Sequence, residues 1–195
     1  METARLAVLL KQEIAGAESE LANTIPPDAA KTDLLRSRIE GGKIGLSELY
    51  HNQGEMEYQQ GNFEKAVDYF SQSFELDPGN LETMYNLGTC YGIIGRYDQS
   101  VVILTDLLKL DPHHRKARQS LAVAYLRTNR GALARPLLES LASETTDDAN
   151  IQYLLGESYR TEENLEKARD HFEKALRIDP NLSKARQKLE LLNKE

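Results

Sequence analysis

Two phrases in this chain are near copies of one another. FEKAVDYFSQSFELDP runs from Phe63 to Pro78, and LEKARDHFEKALRIDP from Leu165 to Pro180, 102 positions later. Because 102 is three times 34, intermediate copies are expected, and a fixed period of this size restricts a chain to stacked or arrayed units. The copies are present. Small residues fall at Gly54, Gly88, Ala122 and Gly156, each 34 apart, and again at Ala66, Ser100, Ala134 and Ala168. Bulky apolar residues follow at Phe70, Leu104, Leu138 and Phe172, and Asp-Pro closes three units at Asp77-Pro78, Asp111-Pro112 and Asp179-Pro180. The frame divides the chain into units 47–80, 81–114, 115–148 and 149–182, with no insertion between them.

Each unit reads as a pair of helices. In the first half, apolar residues recur at spacings of three and four, as in Met84, Leu87, Gly88 and Tyr91, or Leu121, Ala122 and Tyr125, which marks one helix face. A break follows, QGNF at 60–63 or IGRY at 94–97. A second periodic stretch then ends before proline, which disfavours the α conformation in the residue preceding it. Small side chains such as Gly88 and Ser100 allow close helix approach, with Tyr91 and Leu104 filling the space beside them. One hairpin cannot bury its stripe alone, so each requires its neighbour.

These residues resemble the tetratricopeptide repeat family, and the resemblance covers 47–182. It implies an all-α fold: a right-handed superhelical solenoid of helix hairpins whose first helices line a concave groove. The pattern has departures. The first unit has Gln53 and Glu57 where the others carry Leu and Tyr. Leu107 and Leu141 stand where the outer units carry Ser73 and Ala175. The third unit has Gly131 in place of Phe63, Tyr97 or Leu165, ends in Thr145-Thr146, and holds Pro136 inside its second helix. A proline in a helix interior costs about 3 kcal/mol or more, so a kinked or late-starting helix is expected there.

The ends do not follow the period. Residues 183–195, with Ala185, Leu189 and Leu192 on one side, read as a capping helix. In residues 1–46, Leu6, Leu10, Ile14, Ala17 and Leu21 form an amphipathic helix that Pro26-Pro27 ends. Asp28 or Thr32 starts another, carrying Leu34, Leu35 and Ile39 up to Gly41-Gly42. Two roles compete for this segment: a divergent hairpin packed on the first unit, or a dimerising or partner-docking segment.

No catalytic constellation is visible, and the chain reads as a non-enzyme needing no cofactor. His113-His114 reads as a solvated turn pair without a third metal ligand, and Cys90 as buried filler beside Tyr91. One cysteine excludes an internal disulfide. The apolar run Leu6–Leu10 is too short for a signal peptide or a membrane span. The expected compartment is the cytoplasm, or the periplasm if a cleaved signal once preceded the chain.

Placing the first helices on a concave face, as the resemblance implies, nominates residues for partner binding. These are Tyr85, Asn86, Thr89, Lys116, Gln119, Val123, Arg127, Tyr153, Glu157 and Arg160. The frame also turns Glu48, His51, Asn52, Glu55 and Gln59 of the first unit toward this face. Some family members clamp the carboxylate tails of heat-shock chaperones with Lys, Asn, Asn, Lys and Arg. The corresponding positions here are His51, Glu55, Asn86, Lys116 and Ser120, of which two match, so that ligand is disfavoured.

Charge adds a further expectation. The net charge of −7 argues against nonspecific nucleic-acid binding. Yet residues 112–138 hold Arg115, Lys116, Arg118, Arg127, Arg130 and Arg135 with no acid, which leaves −13 on the rest of the chain. Two readings are open: a solvated face, or an electropositive spot for an acidic partner segment with Lys116 and Arg127 in the groove. The leading functional expectation is a scaffold that binds a partner's peptide or helix. The alternatives are a self-assembling protein that oligomerises through its N-terminal helices or repeat ends, and a regulatory subunit or chaperone of a larger assembly.

Overall fold

The computed structural model describes residues 2–24, 29–145 and 147–192. Among them are ten helices and no strand: α1 (Glu2–Ala22), α2 (Ala29–Gln59), α3 (Phe63–Leu76), α4 (Leu81–Ile93), α5 (Tyr97–Leu110), α6 (Arg115–Arg127), α7 (Gly131–Glu144), α8 (Ala149–Thr161), α9 (Leu165–Ile178) and α10 (Ser183–Leu192). The chain divides into two compact units, Met1–Cys90 and Tyr91–Glu195.

The second helices repeat one packing device. Ala66, Phe70 and Ser73 of α3 are buried, as are Ser100, Leu104 and Leu107 of α5. Ala134, Leu138 and Leu141 of α7 and Ala168, Phe172 and Ala175 of α9 follow the same spacing. The small first residue lets another helix approach, and the large one four positions on fills the gap below it. Glycine on the leading helix completes the fit: a Cβ at Gly54 would lie 2.7 Å from the Phe70 ring, and one at Gly156 would lie 2.5 Å from the Phe172 ring.

The turn inside each hairpin is equally periodic. Gly61, Gly95, Asn129 and Glu163 all adopt positive φ, between 58° and 79°. The residue after each donates back across the helix end: Asn62 to Glu57, Arg96 to Tyr91, Arg130 to Tyr125 and Asn164 to Tyr159, at 2.8–2.9 Å. This six-to-one bond around a left-handed residue satisfies carbonyls that a helix end otherwise leaves open. The Asp-Pro turns have their own lock. Asp77, Asp111 and Asp179 each accept from the amide two residues on, at 2.9–3.1 Å.

In the first unit, Ile14 and Ala17 of α1 form one core with Leu35, Ile39, Leu46 and Tyr50 of α2, joined by Tyr69 and Leu76 of α3. The expected break at Gly41-Gly42 does not occur, because α2 runs unbroken through both glycines. Their role is close approach: Gly42 is buried, and a Cβ there would lie 2.8 Å from Ile14 Cγ1. The expected stop at Pro26-Pro27 falls outside the described residues.

In the second unit, Ala122 of α6, Ala134, Leu138 and Leu141 of α7, and Ile151 and Leu155 of α8 share a core. The hairpin α6/α7 is thus covered by the first helix of the next. Tyr159, Ala168 and Phe172 are covered in turn by Leu189 and Leu192 of α10. Of the kink or late start expected for α7, the late start is absent: the helix begins at Gly131, in register with α5 and α9, and carries Pro136 within it. Gly131 replaces a bulky residue because no side chain fits. A Cβ there would lie 1.8 Å from Thr161 Oγ1 and 2.7 Å from the Ser158 carbonyl, and Ser158 Oγ donates to the Gly131 carbonyl at 3.0 Å.

Candidate functional site

The first helices of the second unit present one cavity of about 630 Å³. Val123, Leu126 and Arg127 of α6, Tyr153, Leu154, Glu157 and Arg160 of α8, and Lys184 and Lys188 of α10 line it. Every fourth or third residue of α6 and α8 turns to this side, while Leu121, Ala122, Ile151 and Leu155 turn into the core. The aliphatic residues and Tyr153 supply an apolar floor, and the charged tips stand over it.

The geometry of the charges is specific. Glu157 accepts from Arg160 at 3.2–3.3 Å and from Lys188 Nζ at 3.2 Å. Lys184 Nζ sits 4.6 Å from the centre of the Tyr153 ring, which lies 5.7 Å from the Phe172 ring. Among the described residues, Arg127 makes no ion pair. Four cations surround one carboxylate, an excess of three positive charges. Burial, then the charge of Glu157, pushes the Tyr153 hydroxyl above the usual phenol range, with Arg127 and Arg160 acting in the opposite sense. That hydroxyl is therefore protonated and can donate at neutral pH.

Of the residues nominated from sequence, Val123, Arg127, Tyr153, Glu157 and Arg160 meet in this cavity. Lys116 is exposed and Gln119 half-buried on α6, and neither is among the lining residues. Tyr85, Asn86 and Thr89 are half-buried on α4, in the first unit. His51, which the 34-residue frame turned toward the groove, is buried and bonded to Thr83. Lys184 and Lys188 were missed. Their signal was the spacing of four on the polar side of the last helix, opposite the apolar stripe that defined it as a cap.

The basic stretch of 112–138 is largely neutralised. Arg115 pairs with Asp148 at 3.3 Å, and buried Arg118 with Glu144 at 2.7 Å. That contact, chiefly its hydrogen bond, holds the Glu144 carboxyl below its usual range. Arg130 pairs with Asp98, and Arg135 with Glu162 at 2.8 Å. These four arginines tie adjacent helices together, which leaves Lys116 and Arg127 without ion pairs among the described residues.

Other nominated groups have structural roles. His114 caps α6, its Nδ1 accepting from the Ala117 amide at 3.1 Å. Burial drives the Cys90 thiol up to about 12, so it is no nucleophile at neutral pH. Among the described residues, no helix is long and apolar enough to cross a membrane.

The tetratricopeptide repeat family matches this chain at residues 45–113, 95–157 and 149–182, which together run from 45 to 182. Among solved structures, the "41-end" form of MamA from Desulfovibrio magneticus RS-1 is 30% identical, with a TM-score of 0.71 over 75% of this chain and 83% of that one. A MamA RS-1 double mutant is 28% identical, with a TM-score of 0.70 over the same shares. Among curated proteins, the human O-mannosyl-transferase TMTC1 is 27% identical over 70% of this chain but 15% of its own length. The Arabidopsis thaliana TPR repeat-containing thioredoxin TTL4 is 28% identical over 55% of this chain and 16% of its own. The chain thus spans about one sixth of the length of these two curated relatives. Periodic hairpins, the packing of glycine on phenylalanine, and these matches agree: the chain belongs to the tetratricopeptide repeat family of protein-interaction scaffolds.

Proposed function

We propose that this protein binds an acidic segment of a partner protein through the cavity of its second unit, without catalysis. The observation that carries the reading is the excess of cations over an apolar floor at the ends of α6, α8 and α10. A peptide with one acidic and one apolar side chain would complement it. Its carboxylate would meet Arg127, which makes no ion pair among the described residues. Its apolar neighbour would lie on Val123, Leu126 and Leu154, and the Tyr153 hydroxyl would donate to its backbone. Charge complementarity of this kind sets orientation and association rate more than raw affinity. The test is affinity capture from native lysate with the wild-type chain and with the double variant Arg127→Glu, Lys184→Glu. A partner held by wild type at low salt and lost by the variant supports the reading. The same partner held equally by both contradicts it.

Self-assembly is a second reading with its own observation. Leu6 and Leu9 of α1 and Leu34 and Ile44 of α2 are exposed, at 47–63% of their surface. They lie outside the core that joins the two helices. Light scattering of the wild type and of the triple variant Leu6→Glu, Leu9→Glu, Leu34→Glu separates the readings. A multimer in the wild type and a monomer in the variant favours assembly through these N-terminal helices.

A further inference from the structure

A file of buried hydroxyl groups in the first unit ends on a histidine. Ser47 Oγ donates to the Ser73 carbonyl at 3.1 Å and lies 3.0 Å from Ser73 Oγ. Ser73 Oγ lies 3.2 Å from Thr83 Oγ1, and Thr83 Oγ1 lies 2.8 Å from His51 Nδ1. All four residues are buried, and none is more than 9% exposed. Each hydroxyl has one proton to give. One arrangement of the protons runs from the Nδ1–H of His51 through Thr83 and Ser73 to Ser47 and the Ser73 carbonyl. In that arrangement Nε2 carries the lone pair of the neutral ring and is the nitrogen that can take a ligand.

The other ring nitrogen lies beside a carboxylate. His51 Nε2 is 3.6 Å from Glu55 Oε1, one helical turn on along α2 and beyond hydrogen-bond reach. Glu82, in the first turn of α4, adds a third group, and one ligand atom from each of His51, Glu55 and Glu82 lies within 4.8 Å of the other two. Among the described residues, neither glutamate pairs with a lysine or arginine. A cation bound among the three groups would take the Nε2 lone pair and offset the two negative charges. We propose that His51, Glu55 and Glu82 form a site for a divalent transition-metal ion of the zinc class.

Loading would draw the ligand atoms, 3.6 Å apart at His51–Glu55 and within 4.8 Å of one another overall, slightly together. Metal–ligand bonds of about 2.0–2.2 Å at tetrahedral angles place ligand atoms roughly 3.3 Å apart. An imidazole in the set selects zinc, cobalt or nickel over calcium or magnesium, which take oxygen ligands. Three protein ligands leave a fourth position for water. Thr83 orients the ring through its far nitrogen, the arrangement that holds metal-bound histidines in place. The proposal is independent of the cavity in the second unit.

The test is titration of the full chain with Co²⁺ alone, read by its visible absorption, followed by displacement with Zn²⁺. One saturable equivalent is expected. Glu55→Gln and Glu82→Gln should each weaken it by about tenfold or more, and Thr83→Val, which removes no ligand, by about tenfold. Circular dichroism melts check that each variant folds; Glu82 is exposed, so its variant keeps the core intact. The double variant His113→Ala, His114→Ala should bind as wild type does. Absence of saturable binding, affinity unchanged in both glutamate variants, or binding lost with His113 and His114 would each overturn the assignment.

Discussion

Glycines on two helices of this chain do opposite work. Gly156 faces the Phe172 ring, which is fully buried and cannot retreat. Gly156→Ala should therefore destabilise by about 1–3 kcal/mol through overpacking. Gly41 is exposed on α2, with nothing within 4 Å of an added Cβ. Gly41→Ala should stabilise by about 0.5–1 kcal/mol, the ordinary gain of alanine over glycine in a helix. Urea unfolding of both variants checks the pair of signs. His171 carries a pH dependence. Its Nδ1 lies 2.9 Å from Gln152 Oε1, and its ring stacks on Tyr159 at 5.3 Å. Burial first, then Lys174 and Lys167, lowers its pKa; Asp170 and Glu139 oppose the shift. The folded pKa lies below the unfolded value of about 6.5, so the unfolded chain binds the proton more readily. This contribution to stability is present above that value and is lost as pH falls through the folded pKa. Denaturation midpoints at about pH 7 and pH 5.5 should fall further apart in wild type than in His171→Gln. Equal separation would remove His171 as the cause.

At the scale of elements, the hairpin turns set a uniform demand for a left-handed residue, met by glycine at Gly61 and Gly95 and by Glu163 in α8/α9. A side chain in that conformation costs on the order of 1 kcal/mol, so Glu163→Gly should raise the melting temperature without altering the helices. An unchanged or lower value would mean that Glu163 makes a compensating contact. The same elements show what a sequence discloses. The hairpin breaks at 60–63 and 94–97 and the ends of α3, α5 and α9 were legible because a 34-residue frame and Asp-Pro stops are local signals. The continuity of α2 was not. Gly41-Gly42 looks like a terminator, and only the position of Ile14 on another helix reveals Gly42 as a packing residue. Pro136 misled in the same way. Its cost is local, but the start of α7 is fixed by Gly131 meeting Ser158 across the helix contact.

For the molecule as a whole, the charge pattern shows the limit of reading along the chain. Six basic residues without an acid between 112 and 138 look like a positive spot. Folding brings Asp98, Glu144, Asp148 and Glu162 against four of them, and the surviving positive field gathers where Arg127 and Arg160 meet Lys184 and Lys188. The lysines come from a helix whose sequence announced only its apolar stripe. A partner drawn to this field should associate more slowly as salt rises, since screening acts over about 10 Å at 0.1 M. Stopped-flow rates at two ionic strengths check this, with the dependence flattened in Arg127→Glu. The most direct test of the central claim is an amide NMR titration of the isotope-labelled chain with the acidic segment of its captured partner. The account predicts shifts concentrated at Val123, Arg127, Tyr153 and Lys184. Saturable binding that leaves those four amides unmoved and shifts residues elsewhere would contradict it.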